Sequence, residues 1–132
     1  MPGTASTVLN LLLALIYSLL SALRFLLSKV PDRAPPNMQV WTPHSTALEV
    51  SWDDVPDAHK NGIIRGYKVR YTEISENGSS VINDLPAEQR SFRIVGLNKY
   101  TLYNITVLAY TSKGDGNLAS KVLMTDQDGM YV

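Results

Sequence analysis

The chain has 132 residues, enough for one domain of ordinary size and too few for two. Twelve basic and twelve acidic side chains cancel, so no basic face marks a nucleic-acid partner. With no cysteine there is no disulfide framework, no thiolate zinc site and no thiol nucleophile, although secretion stays open because a domain this large needs no staple.

Residues 1–30 read as a hydrophobic leader. From Val8 to Ser28 the sequence is VLNLLLALIYSLLSALRFLLS, without an acid and with one base, Arg24. That length approaches the roughly 20 residues needed to cross a bilayer, so residues 8–28 are a candidate membrane contact. A secretory signal is a second reading, but no basic side chain precedes Val8, and bulky leucine lies upstream of Ala22 where cleavage prefers a small residue. Arg24, Lys29 and Arg33 follow the run, which by the positive-inside rule places the C-terminal side in the cytoplasm. Asn10, Ala14, Tyr17, Ser21, Arg24 and Ser28 recur at helical spacing, so a helix that packs or dimerises along this small and polar stripe is a third reading.

Residues 31–36, with three prolines, read as an extended linker. Beyond them come short runs with period-two alternation, the pattern of half-buried antiparallel strands. Strands are expected near 37–42, 46–52, 63–73, 79–84, 90–95, 101–111 and 118–125, with turns at Asn61-Gly62, Asn77-Gly78 and Gly114-Asp115-Gly116. Seven short strands with no helix between them predict an all-β, antiparallel, immunoglobulin-like β-sandwich behind the N-terminal hydrophobic helix. The domain is read as 37–126 and the tail as 127–132.

Particular residues then carry a resemblance. Ala34-Pro35-Pro36, Leu48-x-Val50-x-Trp52, Gly66-Tyr67-x-Val69-x-Tyr71, Gly96-Leu97, Thr101-x-Tyr103 and Gly114-x-Gly116 occur in order. In that order and spacing they resemble fibronectin type III domains, and are similar to repeats of the sidekick, Dscam and receptor-type tyrosine phosphatase adhesion receptors. Thr125 to Gly129 resembles the connection to a further repeat, so the chain is expected to be a fragment of such a receptor, a truncated isoform, or a repeat joined to an unrelated leader. The resemblance implies a core built on Trp52, Tyr67 and Leu97. It also implies that Tyr103 bonds backbone near Leu97 through its hydroxyl.

Several residues are candidate contacts. Lys113-Gly114-Asp115 between the last two strands resembles the loop tripeptide of integrin-binding type III domains, although the ordinary turn there explains both glycines. Asn77 and Asn104 begin N-glycosylation sequons. Trp41 is out of phase with Met38 and Val40, so it is expected to face outward, either as an interface anchor or packed beneath the leader or linker. Arg65, Lys68 and Arg70 are either a candidate basic patch for acidic glycans or a solvated face balanced by Glu73 and Asp84. His44 and His59 have no ligand partner at metal-site spacing, so neither a metal nor a cofactor is expected.

No Gly-x-Ser-x-Gly elbow, phosphate-cradling glycine loop or His-Glu-x-x-His helix is present, and Asp53-Asp54 point to opposite faces, so no catalytic residue is assigned. The expected function is a non-catalytic extracellular protein-protein interaction module of an adhesion or receptor-type protein. It would act outside the cell or at the cell membrane and bind receptors or neighbouring repeats. The alternatives are a structural spacer repeat and a membrane-anchored single-domain protein with no adhesive role.

Overall fold

The computed structural model describes residues 2–75 and 78–126. Thr4 to Leu27 contains neither proline nor glycine and is rich in leucine, which loses little side-chain freedom in a helix. It lies within one 26-residue helix, α1 (Pro2–Leu27). Thr4–Leu27 is long and apolar enough to cross a membrane, and its large apolar side chains are exposed all round. Ser28 closes the helix by donating its hydroxyl to the Arg24 carbonyl at 2.7 Å.

Seven strands follow: β1 (Gln39–His44), β2 (Ala47–Ser51), β3 (Gly66–Glu73), β4 (Ser80–Pro86), β5 (Ser91–Ile94), β6 (Leu102–Thr111) and β7 (Gly114–Met124). They form two antiparallel sheets, ordered β1-β2-β5 and β4-β3-β6-β7. Alternation sends Leu48, Val50, Tyr67, Val69, Tyr103, Ile105, Val107 and Ala109 inward, where all are buried. Trp52, just past β2, is 2% exposed and tilts against the Tyr67 ring, with centroids 5.6 Å apart. Leu97 closes the same core and is 7% exposed.

Two local expectations need correction. A single turn of helix, α2 (Asp57–Lys60), interrupts the β pattern; it is preceded by Pro56 and stopped by Asn61, whose φ of 56° is left-handed. The last strand begins at Gly114 rather than near 118, so only Ser112 and Lys113 form the turn, with Thr111 opposite Gly114. Alternation could not reveal residues 114–117 because no large apolar side chain stands there. Gly116 instead brings the backbone against Pro31, and a Cβ at Gly116 would lie 2.6 Å from Pro31 Cβ.

Candidate interaction surface

The candidate residues fall on the outer faces of the two sheets, and the structure adds a third region, the end where α1 meets the sandwich. On the three-stranded sheet, Trp41 pairs across to Glu49, and Glu49 pairs across to Arg93. Residues directly opposite share a face, so the three form one row over β1, β2 and β5. Trp41 is 45% exposed, while Arg93 Nε donates to Glu49 Oε2 at 2.8 Å. The row therefore offers a half-exposed indole beside a neutralised ion pair.

The outer face of the four-stranded sheet differs. Lys68 reaches Asp115 at 2.8 Å and lies 5.0 Å from the Tyr110 ring centroid. Tyr110 in turn donates its hydroxyl to Asp84 at 2.6 Å. Asp115 is thus a strand residue, paired with Tyr110 and bridged to Lys68, and the Lys113-Gly114-Asp115 triplet is not a projecting loop tip. Lys113 points elsewhere, with its ammonium 4.4 Å from the Phe25 ring centroid on α1. Arg65, Lys68 and Arg70 do not form one patch either: Lys68 is neutralised, Arg70 lies between Ile82 and Thr106, and Arg65 precedes β3 at the helix end. Asn104 stands on this outer face, between Thr72 and Val122. Asn77 lies outside the described residues.

At the end facing α1, residues 28–32 are built into the sandwich. The Lys29 N–H donates to the Asn61 carbonyl at 2.7 Å, and the Asp32 N–H to the His59 carbonyl at 3.0 Å. Asn61 Nδ2 donates to the Val30 carbonyl, Thr111 Oγ1 to the Lys29 carbonyl, and Asn117 Nδ2 to the Asp32 carbonyl. Pro31 and Pro35, in the segment read as a linker, are fully buried. The hydrogen bond with His59, and then that with Asn61, holds the Asp32 carboxyl below the usual carboxylate range. Sequence reasoning missed this junction. Asn61 carries only a turn signal, and nothing in its spacing shows that its amide reaches back 31 positions.

Between the last turns of α1 and the loop after α2 lies an open cleft of about 850 Å³. Leu20, Leu23 and Ile63 supply apolar walls, and Arg24, Lys29 and Arg65 supply positive charge. Tyr17, Ser21, Arg24 and Ser28 line it, so the C-terminal half of the polar stripe turns toward the sandwich.

Among core residues, Tyr103 Oη accepts the Asn98 N–H at 2.9 Å. Thr125, not singled out by sequence, is 1% exposed and joins the same corner: its hydroxyl donates to the Asn98 carbonyl and accepts the Thr101 N–H. His44 is bonded locally by Thr46, and His59 Nδ1 lies 2.8 Å from Asp32. Among the described residues, no three His, Asp or Glu side chains are grouped to hold a metal ion.

Two packed antiparallel sheets in this strand order define an immunoglobulin-like β-sandwich. Residues 33–125 match the fibronectin type III domain family, and the chain belongs to it. It is 37% identical over 89 residues to protein sidekick-2 of Mus musculus, covering 67% of this chain and 4% of that protein. It is 38% identical over 100 residues to receptor-type tyrosine-protein phosphatase F of Bos taurus, covering 73% of this chain and 5% of that protein. The chain thus spans a small part of these relatives, and the matched part is the type III repeat, a non-catalytic module. Among solved structures, the FN5 domain of Drosophila Lar superposes with a TM-score of 0.60 at 30% identity, covering 74% of this chain and 99% of that one. The third fibronectin III domain of human KIAA0343 protein shares the fold with a TM-score of 0.68 at 24% identity, covering 78% and 89%.

Proposed function

We propose that this chain is a non-catalytic, extracellular protein-protein interaction module, held at the cell membrane by α1, that presents the Trp41 row to a protein partner. The observation that carries the reading is the 45% exposure of Trp41 in line with the Glu49–Arg93 pair. A large aromatic surrounded by groups already paired gains the most when a partner covers it, which is the usual composition of a binding hot spot. The resemblance to adhesion and receptor proteins supports the same class of role.

The junction after α1 supports anchorage. Residues 28–32 are hydrogen-bonded into the sandwich, so a membrane-spanning α1 would hold the domain end against the bilayer rather than on a flexible tether. Arg24 and Lys29 flank the apolar run on the side of the sandwich, a charge bias that by the positive-inside rule opposes this orientation, so the surface-staining arm of the test below decides it.

Non-adherent cells expressing the full chain with a C-terminal tag test the reading. The tag is expected to be stained on intact cells, and those cells to adhere to a cell layer in a Trp41-dependent manner. Loss of adhesion in Trp41→Ala at equal surface staining supports the face. Equal adhesion by that variant overturns it, and no adhesion by the parent chain leaves the spacer role in its place.

A further inference from the structure

We propose that Asn104 carries an N-linked glycan whose first sugar lies in the depression beside it and closes the outer face of the four-stranded sheet. The inference rests on the extracellular placement proposed above. Asn104-Ile105-Thr106 is a sequon on β6, a central strand of that sheet. Alternation puts Asn104 and Thr106 on the same outward face, while Ile105 is fully buried between them. Ser120 donates its hydroxyl to Asn104 Oδ1 at 2.7 Å, which orients the amide and leaves Nδ2, the atom that bears the sugar, as its other group.

The surroundings suit a sugar rather than bare water. Asn104 lines an open depression of about 520 Å³ together with Thr72, Ser120, Ile74 and Val122. Ile74 is 50% exposed and Val122 56%, and Leu118 and Ile82 on the same sheet are 46% and 59% exposed. An N-acetylglucosamine ring has an apolar face of C–H groups and a polar rim. Its C–H face covers Ile74 and Val122, and its hydroxyls meet Thr72 and Ser120. Removing this apolar surface from water is favourable, and a glycan at this position blocks protein contact with the sheet. The partner-binding role then falls to the opposite sheet, where Trp41 stands.

Modification precedes pairing of β6, while the sequon is still extended and accessible. Asn104 Nδ2 attacks the anomeric carbon of a lipid-linked oligosaccharide diphosphate. The N–C bond forms, the C–O bond to the diphosphate breaks, the lipid diphosphate leaves, and the nitrogen's proton passes to a base.

The test uses the full tagged chain from secretory cells. Glycosidase release in heavy-oxygen water is expected to convert Asn104 of the parent chain to labelled aspartate, detected by peptide mass spectrometry. In an Asn77→Gln background the glycosidase-sensitive gel shift is expected to remain, to survive Thr106→Ser, and to vanish in Asn104→Gln. Enzymatic deglycosylation of the native protein is expected to raise apolar-dye binding about twofold or more, as covered apolar surface returns to water. Unlabelled Asn104 on a chain whose tag is exposed outside the cell overturns the glycan and leaves the extracellular reading standing. A tag protected inside the cell overturns both, and unchanged dye binding on deglycosylation overturns the covering role.

Discussion

The hydroxyl of Tyr103 accepts a 2.9 Å hydrogen bond from the backbone N–H of Asn98, five residues upstream and on the far side of the turn into β6. Tyr103 is 4% exposed, so this bond is sheltered from water. Tyr103→Phe keeps the ring and leaves the Asn98 N–H without that partner. The expected cost is about 1–3 kcal/mol. Urea unfolding checks it: the midpoint should fall with an unchanged slope, because the same surface is exposed on unfolding.

Trp52 should divide its contribution unequally between shape and polarity. Its buried Nε1 has no hydrogen-bond partner among the described residues, so Trp52→Phe loses ring volume but no bond seen there. Trp52→Ala is expected to cost about 3–5 kcal/mol and Trp52→Phe clearly less. Equal losses in thermal unfolding would mean that the ring volume is not what the core uses.

Burial pushes the Tyr67 hydroxyl up to about 12 from the ordinary 10.0, and its hydrogen bond to the Asp54 carboxylate adds to this. A phenol whose folded pKa is raised stabilises the fold fully below pH 10 and loses that contribution as pH climbs from 10 toward about 12. The loss is about 2–3 kcal/mol at 1.36 kcal/mol per unit. Tyr67→Phe should flatten stability across this alkaline window. On the acid side, burial alone would raise the Asp54 carboxyl, but hydrogen bonds from Tyr67 and Lys60 and the Arg90 charge hold it below 3.8. Its contribution is therefore present above that pH and lost as pH falls further.

Gly66 has no room for a side chain. A Cβ there would lie 2.4 Å from the Leu85 carbonyl oxygen and 2.7 Å from Tyr110 Oη, across both neighbouring strands. Gly66→Ala is expected to cost about 1–3 kcal/mol or more through overpacking. Amide exchange should show the loss first at the Gly66–Pro86 end of the β3–β4 ladder.

The junction after α1 makes a prediction of its own. The amides of Lys29 and Asp32 are bonded to the Asn61 and His59 carbonyls, so they should exchange orders of magnitude more slowly than amides of a free linker. Asn61→Ala removes the bond to the Val30 carbonyl and should speed exchange at Lys29 and Asp32 more than in β3 or β6. Unprotected amides at 29 and 32 in the parent chain would detach the helix from the sandwich.

Much of this molecule was legible in sequence because its strands announce themselves by alternation. Leu48-x-Val50-x-Trp52 and Tyr103-x-Ile105-x-Val107 each have one face to bury, and a slip of one residue would expose all of it. The outward phase of Trp41 and Asn104 follows from the same period. Alternation has nothing to say where the side chains are small or the contact is made by backbone. That is why β7 starts four residues earlier than expected, and why α2 went unseen.

The amino-acid sequence by itself determined the sandwich, its inward and outward residues and the apolar helix, because these depend on spacing along the chain. Only the tertiary structure decided which long-range partners meet. Asp115 lies beside Lys68 at a separation of 47 residues, and Asn117 reaches Asp32 across 85. Those pairings arise when the two sheets close and bring distant strands side by side, and no local propensity encodes that event.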